Sequence, residues 1–197
     1  MGKAHKIGFN LLTLILAILV GLLSCDDDFD DFDTVTFSPI SCENDSFTFD
    51  EGDLDLVING EGFDGTEVDC IRAGANCNID IEAQDIRLIN CGECIKAESN
   101  GKVTLSAFDD IECDAKGDGV SAIDFAFIRL NAIEDIGIFS IEGNGIRAED
   151  TSRVELDTIT GTCTIDGPAG DIIQGNTAVV DTGDCNKVDS LEGLGFE

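Results

Sequence analysis

Between Cys70 and about Cys185, apolar and polar residues alternate in short runs, and the runs recur every 24 to 26 residues. Segments starting at Cys70, Cys94, Gly119, Gly145 and Asp171 superimpose almost without gaps. Their second position reads Ile71, Ile95, Val120, Ile146 and Ile172, and their fourth Ala73, Ala97, Ala122, Ala148 and Gln174. The tenth holds Ile79, Val103, Ile128, Val154 and Val180. Two further on stand Ile81, Leu105, Leu130 and Leu156, with Thr182 breaking the row. Period-two alternation of this kind predicts strands buried on one face, and the repeats show no helical spacing. In the fourth unit the strands fall at 145–148, 153–157 and 162–165. Clusters such as Ser99-Asn100-Gly101 and Glu142-Gly143-Asn144-Gly145 mark the turns.

A unit of this size cannot bury its apolar face alone and has to stack on its neighbours. Three strands per unit with rows of Ile, Val, Leu and Ala therefore predict an all-β, single-domain parallel β-helix of about five to six coils over residues 46–186. Upstream, Phe47, Phe49, Leu54, Leu56 and Ile58 are expected to form a first coil or cap. Residues 187–197, with Leu191, Leu194 and Phe196, are expected to cover the other end, where an open edge would invite aggregation. The segments 119–122 (Gly-Val-Ser-Ala) and 145–148 (Gly-Ile-Arg-Ala) resemble the repeats of right-handed parallel β-helix proteins of the pectate-lyase type. The likeness covers roughly residues 54–186, lies in the repeat pattern and includes no catalytic signature. It implies right-handed winding, which spacing does not supply.

The N-terminus has a different character. Lys3 and Lys6 precede an apolar run from Leu11 to Leu23, and Leu22-Leu23-Ser24-Cys25 follows. This tetrapeptide resembles the lipobox of bacterial lipoproteins, which implies that residues 1–24 are a signal peptide and that Cys25 is lipidated. A single transmembrane anchor is the alternative, although the run is short for a ~30 Å hydrocarbon core. The acidic stretch 26–33 resembles the export signal of Bacteroidota surface lipoproteins, implying display on the outer membrane's outer face. An acidic solvated tether would carry the same charges. On either reading residues 25–45 are expected to be a flexible linker.

Removing residues 1–24 leaves nine basic and 41 acidic residues, a formal charge of −32. Such a surface repels nucleic acid and anionic headgroups. It also leaves no His, Trp or Tyr. That removes histidine chemistry, histidine-ligated metals and the aromatic platforms on which sugars usually stack. Beyond Cys25 there are eight cysteines, and in an exported chain these predict disulfides. Cys70 and Cys94 hold the same repeat position in adjacent coils, within bridging reach at a ~4.8 Å strand spacing. Cys91, in Cys-Gly-Glu-Cys, is a second candidate partner for Cys94. Cys113 and Cys163 sit at or beside apolar positions.

Two rows carry candidate chemistry. Asp85, then Asp109 with Asp110, then Glu134 with Asp135 recur at one coil corner. Stacked carboxylates repel, and calcium, which takes six to eight oxygen ligands, would relieve that; a solvated corner whose acids diverge is the alternative. The cluster at residues 50–55 is also acidic but lacks EF-hand spacing. Arg72, Lys96 and Arg147 form a short basic row that could dock an acidic glycan or pair with acids such as Glu98 and Glu149. No catalytic constellation appears, because Asp109 and Asp110 point to opposite faces of a strand. No regular Thr row of the ice-binding kind appears either. The sequence thus predicts a non-catalytic, lipid-anchored surface module, structural, adhesive or ligand-presenting, with calcium at the acidic corner as a candidate support, a protein or glycan partner and no nucleic acid. The alternative is a carbohydrate-binding or carbohydrate-active accessory protein.

Overall fold

The computed structural model describes residues 33–61, 67–175, 177–183 and 188–189. Cys25, the lipobox, the acidic stretch 26–32 and most of the C-terminal segment 187–197 lie outside them. The described chain is all β and winds through about five turns of a parallel solenoid. Each turn contributes one strand to each of three sheets. Sheet A contains Thr34–Phe37, Asp55–Asn59, Ile86–Cys91, Ile111–Ala115, Ile136–Ser140, Cys163–Asp166 and Val188–Asp189. Sheet B contains Ile40–Cys42, Ile71–Ala73, Ile95–Ala97, Val120–Ala122, Asn144–Ala148 and Gly170–Gln174. Sheet C contains Ser46–Glu51, Asn78–Ala83, Lys102–Ala107, Phe127–Ala132, Arg153–Thr158 and Val179–Asp181. The first coil thus begins at Thr34, inside the stretch that the charge pattern marked as linker, because Thr34–Phe37 pairs with Asp55–Asn59.

The repeat register read from the sequence is the strand register. Ile71, Ile95, Val120 and Ile146 stack in sheet B, with Ala73, Ala97, Ala122 and Ala148 beside them, all fully buried. Val103, Ile128 and Val154 stack in sheet C, next to Leu105, Leu130 and Leu156. Sheet A adds Leu56, Ile86, Ile111 and Ile136. The three inward faces form one core. At its N-terminal end the aliphatic rows give way to Phe37, Phe47 and Phe49, which meet edge to face with centroids 5.4 and 6.4 Å apart and pack half-buried on the core.

The disulfides cross this interior. Cys70 bonds Cys91 and Cys94 bonds Cys113, with Cα separations of 5.3 and 5.9 Å, and all four are buried. Cys42–Cys77 ties two neighbouring coils, and Cys163 is disulfide-bonded too. The pairings expected from stacking, Cys70 with Cys94, and from the short Cys-Gly-Glu-Cys motif, Cys91 with Cys94, are therefore corrected. Cys70 and Cys94 immediately precede successive sheet B strands, and each bonds across the corner to a cysteine of a sheet A strand, not along the stack. A bulge makes the first bridge reachable: the register shifts between Cys113 and Ala115, and Asn90 adopts φ 53° in the left-handed region. Strict alternation would turn Cys91 outward, and the extra residue turns it in. In the next two coils glycine replaces the first cysteine. A Cβ on Gly119 would lie 2.4 Å from the Ile138 Cγ2, and one on Gly145 2.4 Å from that of Ile165. Gly plus Ile fills the slot that a cystine fills in the earlier coils.

The corner between sheets B and C turns through left-handed residues: Asn44, Asn76, Ser99 with Asn100, Asp124 with Phe125, and Asp150. Asn and Asp tolerate that conformation, but a bulky side chain does not. Phe125 adopts it with φ 64° while 64% exposed, at the position where Asn100 sits one coil earlier. Phe125→Asn is therefore expected to stabilise the protein by about 1 kcal/mol, read as a higher urea midpoint at unchanged slope. A lower midpoint would mean that the ring's contacts outweigh the strain.

Candidate functional site

The acidic row lies at the corner between sheets C and A, and hydrogen bonds order it. Asp85 Oδ1 accepts the Asp110 amide at 3.0 Å, and Asp110 Oδ1 accepts the Asp135 amide at 2.8 Å. Asp135 Oδ1 then accepts both the amide and the hydroxyl of Thr162, at 2.6 and 3.0 Å. Each carboxylate caps the backbone of the following coil, and bonds of this kind to a charged acceptor contribute about 1.5–3 kcal/mol. Asp109 belongs to a separate contact, its Oδ2 taking a bond from the Gln84 amide at 2.6 Å, and Glu134 is exposed beside Asp135. Asp55 precedes the row, and its Oδ1 is buried without a hydrogen-bond partner. Burial, reinforced by Asp85, raises the Asp55 carboxyl above its ordinary range.

Among the described residues there is no group of three or more His, Cys, Asp or Glu side chains placed to share a metal ion. The row's acids are engaged one by one with amides of the next coil. Calcium is thus expected to raise the melting temperature no more than magnesium at equal concentration. A calcium-specific rise reversed by chelator would place an ion in the row.

The basic row occupies the outer face of sheet B, where Arg72 stacks on Lys96 and Arg147 lies two strands further on. Every member has an acid partner. Arg72 meets Glu98 at 2.5 Å, Lys96 meets Glu93 at 3.1 Å, and Arg147 meets Glu149 at 2.8 Å and Asp118 at 3.6 Å. Burial raises the Glu93 carboxyl above its usual range, against the pull of the Lys96 ammonium.

Two surface features escaped the sequence reading. On the outer face of sheet C, Lys102, Phe127 and Arg153 stand on adjacent strands. The Lys102 ammonium and the Arg129 guanidinium lie 5.7 and 5.6 Å from the Phe127 ring centre, within cation–π range. Beside them is a shallow depression lined by Arg129, Arg153, Glu155 and Asp181, in which both arginines pair with Glu155. The second feature is an apolar row at the corner between sheets C and A. Phe108, Ile133 and Ile159 follow one another in successive coils, 41%, 37% and 73% exposed. The signal was present: each directly follows the last inward residue of a sheet C strand, Ala107, Ala132 or Thr158. It went unread because corner positions fall outside the strand alternation.

No protein-family model matches the chain, and comparison with curated proteins and with solved structures found no match to either.

Proposed function

We propose that the chain is a non-catalytic, lipid-anchored surface protein whose solenoid presents its outer faces to a ligand or partner. The observation that carries this reading is the set of buried disulfides crossing the core, since cystines of that kind persist in oxidising, exported settings. The lipobox-like 22–25 segment and the acidic stretch behind it supply the anchor and the route outward. The charged outer rows support a presenting role over a catalytic one, because the cations of sheet B are held in ion pairs and do not converge on a cleft.

The test is a pair of bacterial strains producing the wild-type chain and Cys25→Ser. The wild type is expected to take up labelled palmitate and to be shaved from intact cells by added protease, while Cys25→Ser stays unlabelled. Protection of the wild type from external protease, with lysis restoring cleavage, would sink surface display. Labelling of the Cys25→Ser protein would sink the anchor. A second reading, carbohydrate binding, is favoured by one feature: Phe127 between Lys102 and Arg129 offers a ring face and two cations beside a depression. Saccharide binding that Phe127→Ser abolishes would promote it.

A further inference from the structure

We infer that the Phe108–Ile133–Ile159 row is a docking ridge for a basic amphipathic helix of a partner protein. The inference rests on the reading that this solenoid presents its outer surface, and it names the chemistry of what is presented to. Single exposed apolar residues are ordinary on a protein surface, but three in consecutive coils at one corner form a continuous strip. The strip extends toward the N-terminal end, because the Phe108 ring leans along it until its edge lies 2.6 Å from where a Cβ of Gly52 would be.

Charge selects the occupant. On the sheet A side the strip is bordered by Asp110, Glu134 and Asp135, and on the sheet C side by Asp157. The cations on the flanking strands are already paired, Arg129 and Arg153 with Glu155 and Arg87 with Asp85 and Glu112. On a chain of formal charge −30 this strip attracts a cationic segment and repels an anionic one. Spacing selects its form. Rungs of the ridge repeat at about 4.8 Å, the strand separation. An extended peptide puts side chains of one face about 6.8 Å apart and falls out of step within two rungs. A helix lying along the solenoid axis offers an apolar side chain every turn, about 5.4 Å, and stays in step over three rungs.

The experiment uses the purified chain and a synthetic amphipathic Leu/Lys peptide of about 18 residues, long enough to fold on contact. A scrambled peptide of the same composition serves as control. The amphipathic peptide is expected to bind and become helical, and Ile133→Ser with Ile159→Ser is expected to weaken binding about tenfold or more. Both sites are exposed, so the double variant should keep the parent's melting temperature, and Glu134→Gln with Asp135→Asn provides a second, charge-based variant that should also weaken binding. Equal binding of the scrambled peptide, or full binding by the Ser double variant, overturns the proposal. Self-association of the wild type that the Ser variant abolishes, without peptide binding, also overturns it, in favour of a second copy as occupant. Surface display is tested on intact cells and the ridge on purified protein, so either can fail alone.

Discussion

Leu130→Asp is expected to leave the central coils unfolded, with loss of the cooperative melt and of the β-sheet circular dichroism signal. Leu130 is fully buried between Leu105 and Leu156 in the sheet C row. A carboxylate there loses its hydration without gaining a partner, at a cost of several kcal/mol on top of about 2–5 kcal/mol for the lost apolar side chain. A domain whose net stability is about 5–15 kcal/mol does not survive that sum comfortably. Leu130→Ala gives the graded control, folded but less stable. An unchanged melt for the Asp variant would mean that the row is not the core.

The second large effect concerns the interior bridges. Replacing Cys94 and Cys113 together by Ala is expected to lower stability by about 2–5 kcal/mol, read from the urea midpoint. The covalent part comes from a link spanning 19 residues, whose removal frees the unfolded chain. The packing part comes from the void left where a buried cystine stood. The following coils show how that void is filled without sulfur, since Gly119 makes room for Ile138 and Gly145 for Ile165. Cys94→Gly with Cys113→Ile should therefore be more stable than the Ala pair while remaining below the wild type. Equal stability of the two double variants would show that the slot is not interchangeable between coils.

Much of this architecture was legible because a parallel solenoid writes its register directly into the chain. Ile71, Ile95, Val120 and Ile146 are neighbours in space for the same reason that they are neighbours in the alignment. The basic row's partners Glu98 and Glu149 were legible as well, being two residues from Lys96 and Arg147, although Glu98 pairs with Arg72 in the coil before. The disulfide pattern was not legible. It depends on one bulged residue, Asn90, and on side chains directed across a corner, and neither leaves a mark in the spacing of cysteines. The acidic row was found, but the hydrogen bonds that order it were not legible without the backbone. Carboxylates that look mutually repulsive in sequence each face an amide of the next coil. The ridge was missed because turns were read for their breakers, not for the apolar residues beside them.

The placing of the cystines has a consequence for how the rod comes apart. In a stack where every coil holds only its neighbours, a terminal coil has one neighbour and an internal coil two, so fraying begins at the ends. Cysteine is absent between Cys113 and Cys163, and the bonded cysteines fall on either side of that gap. The cross-links whose two ends are both described thus run coil by coil from Cys42 to Cys113, up to the central strand of sheet A, and the coils between there and Cys163 rest on packing alone. Reduction should therefore turn a molecule that melts all at once into one that loosens first from its N-terminal coils, which hold three of the bridges.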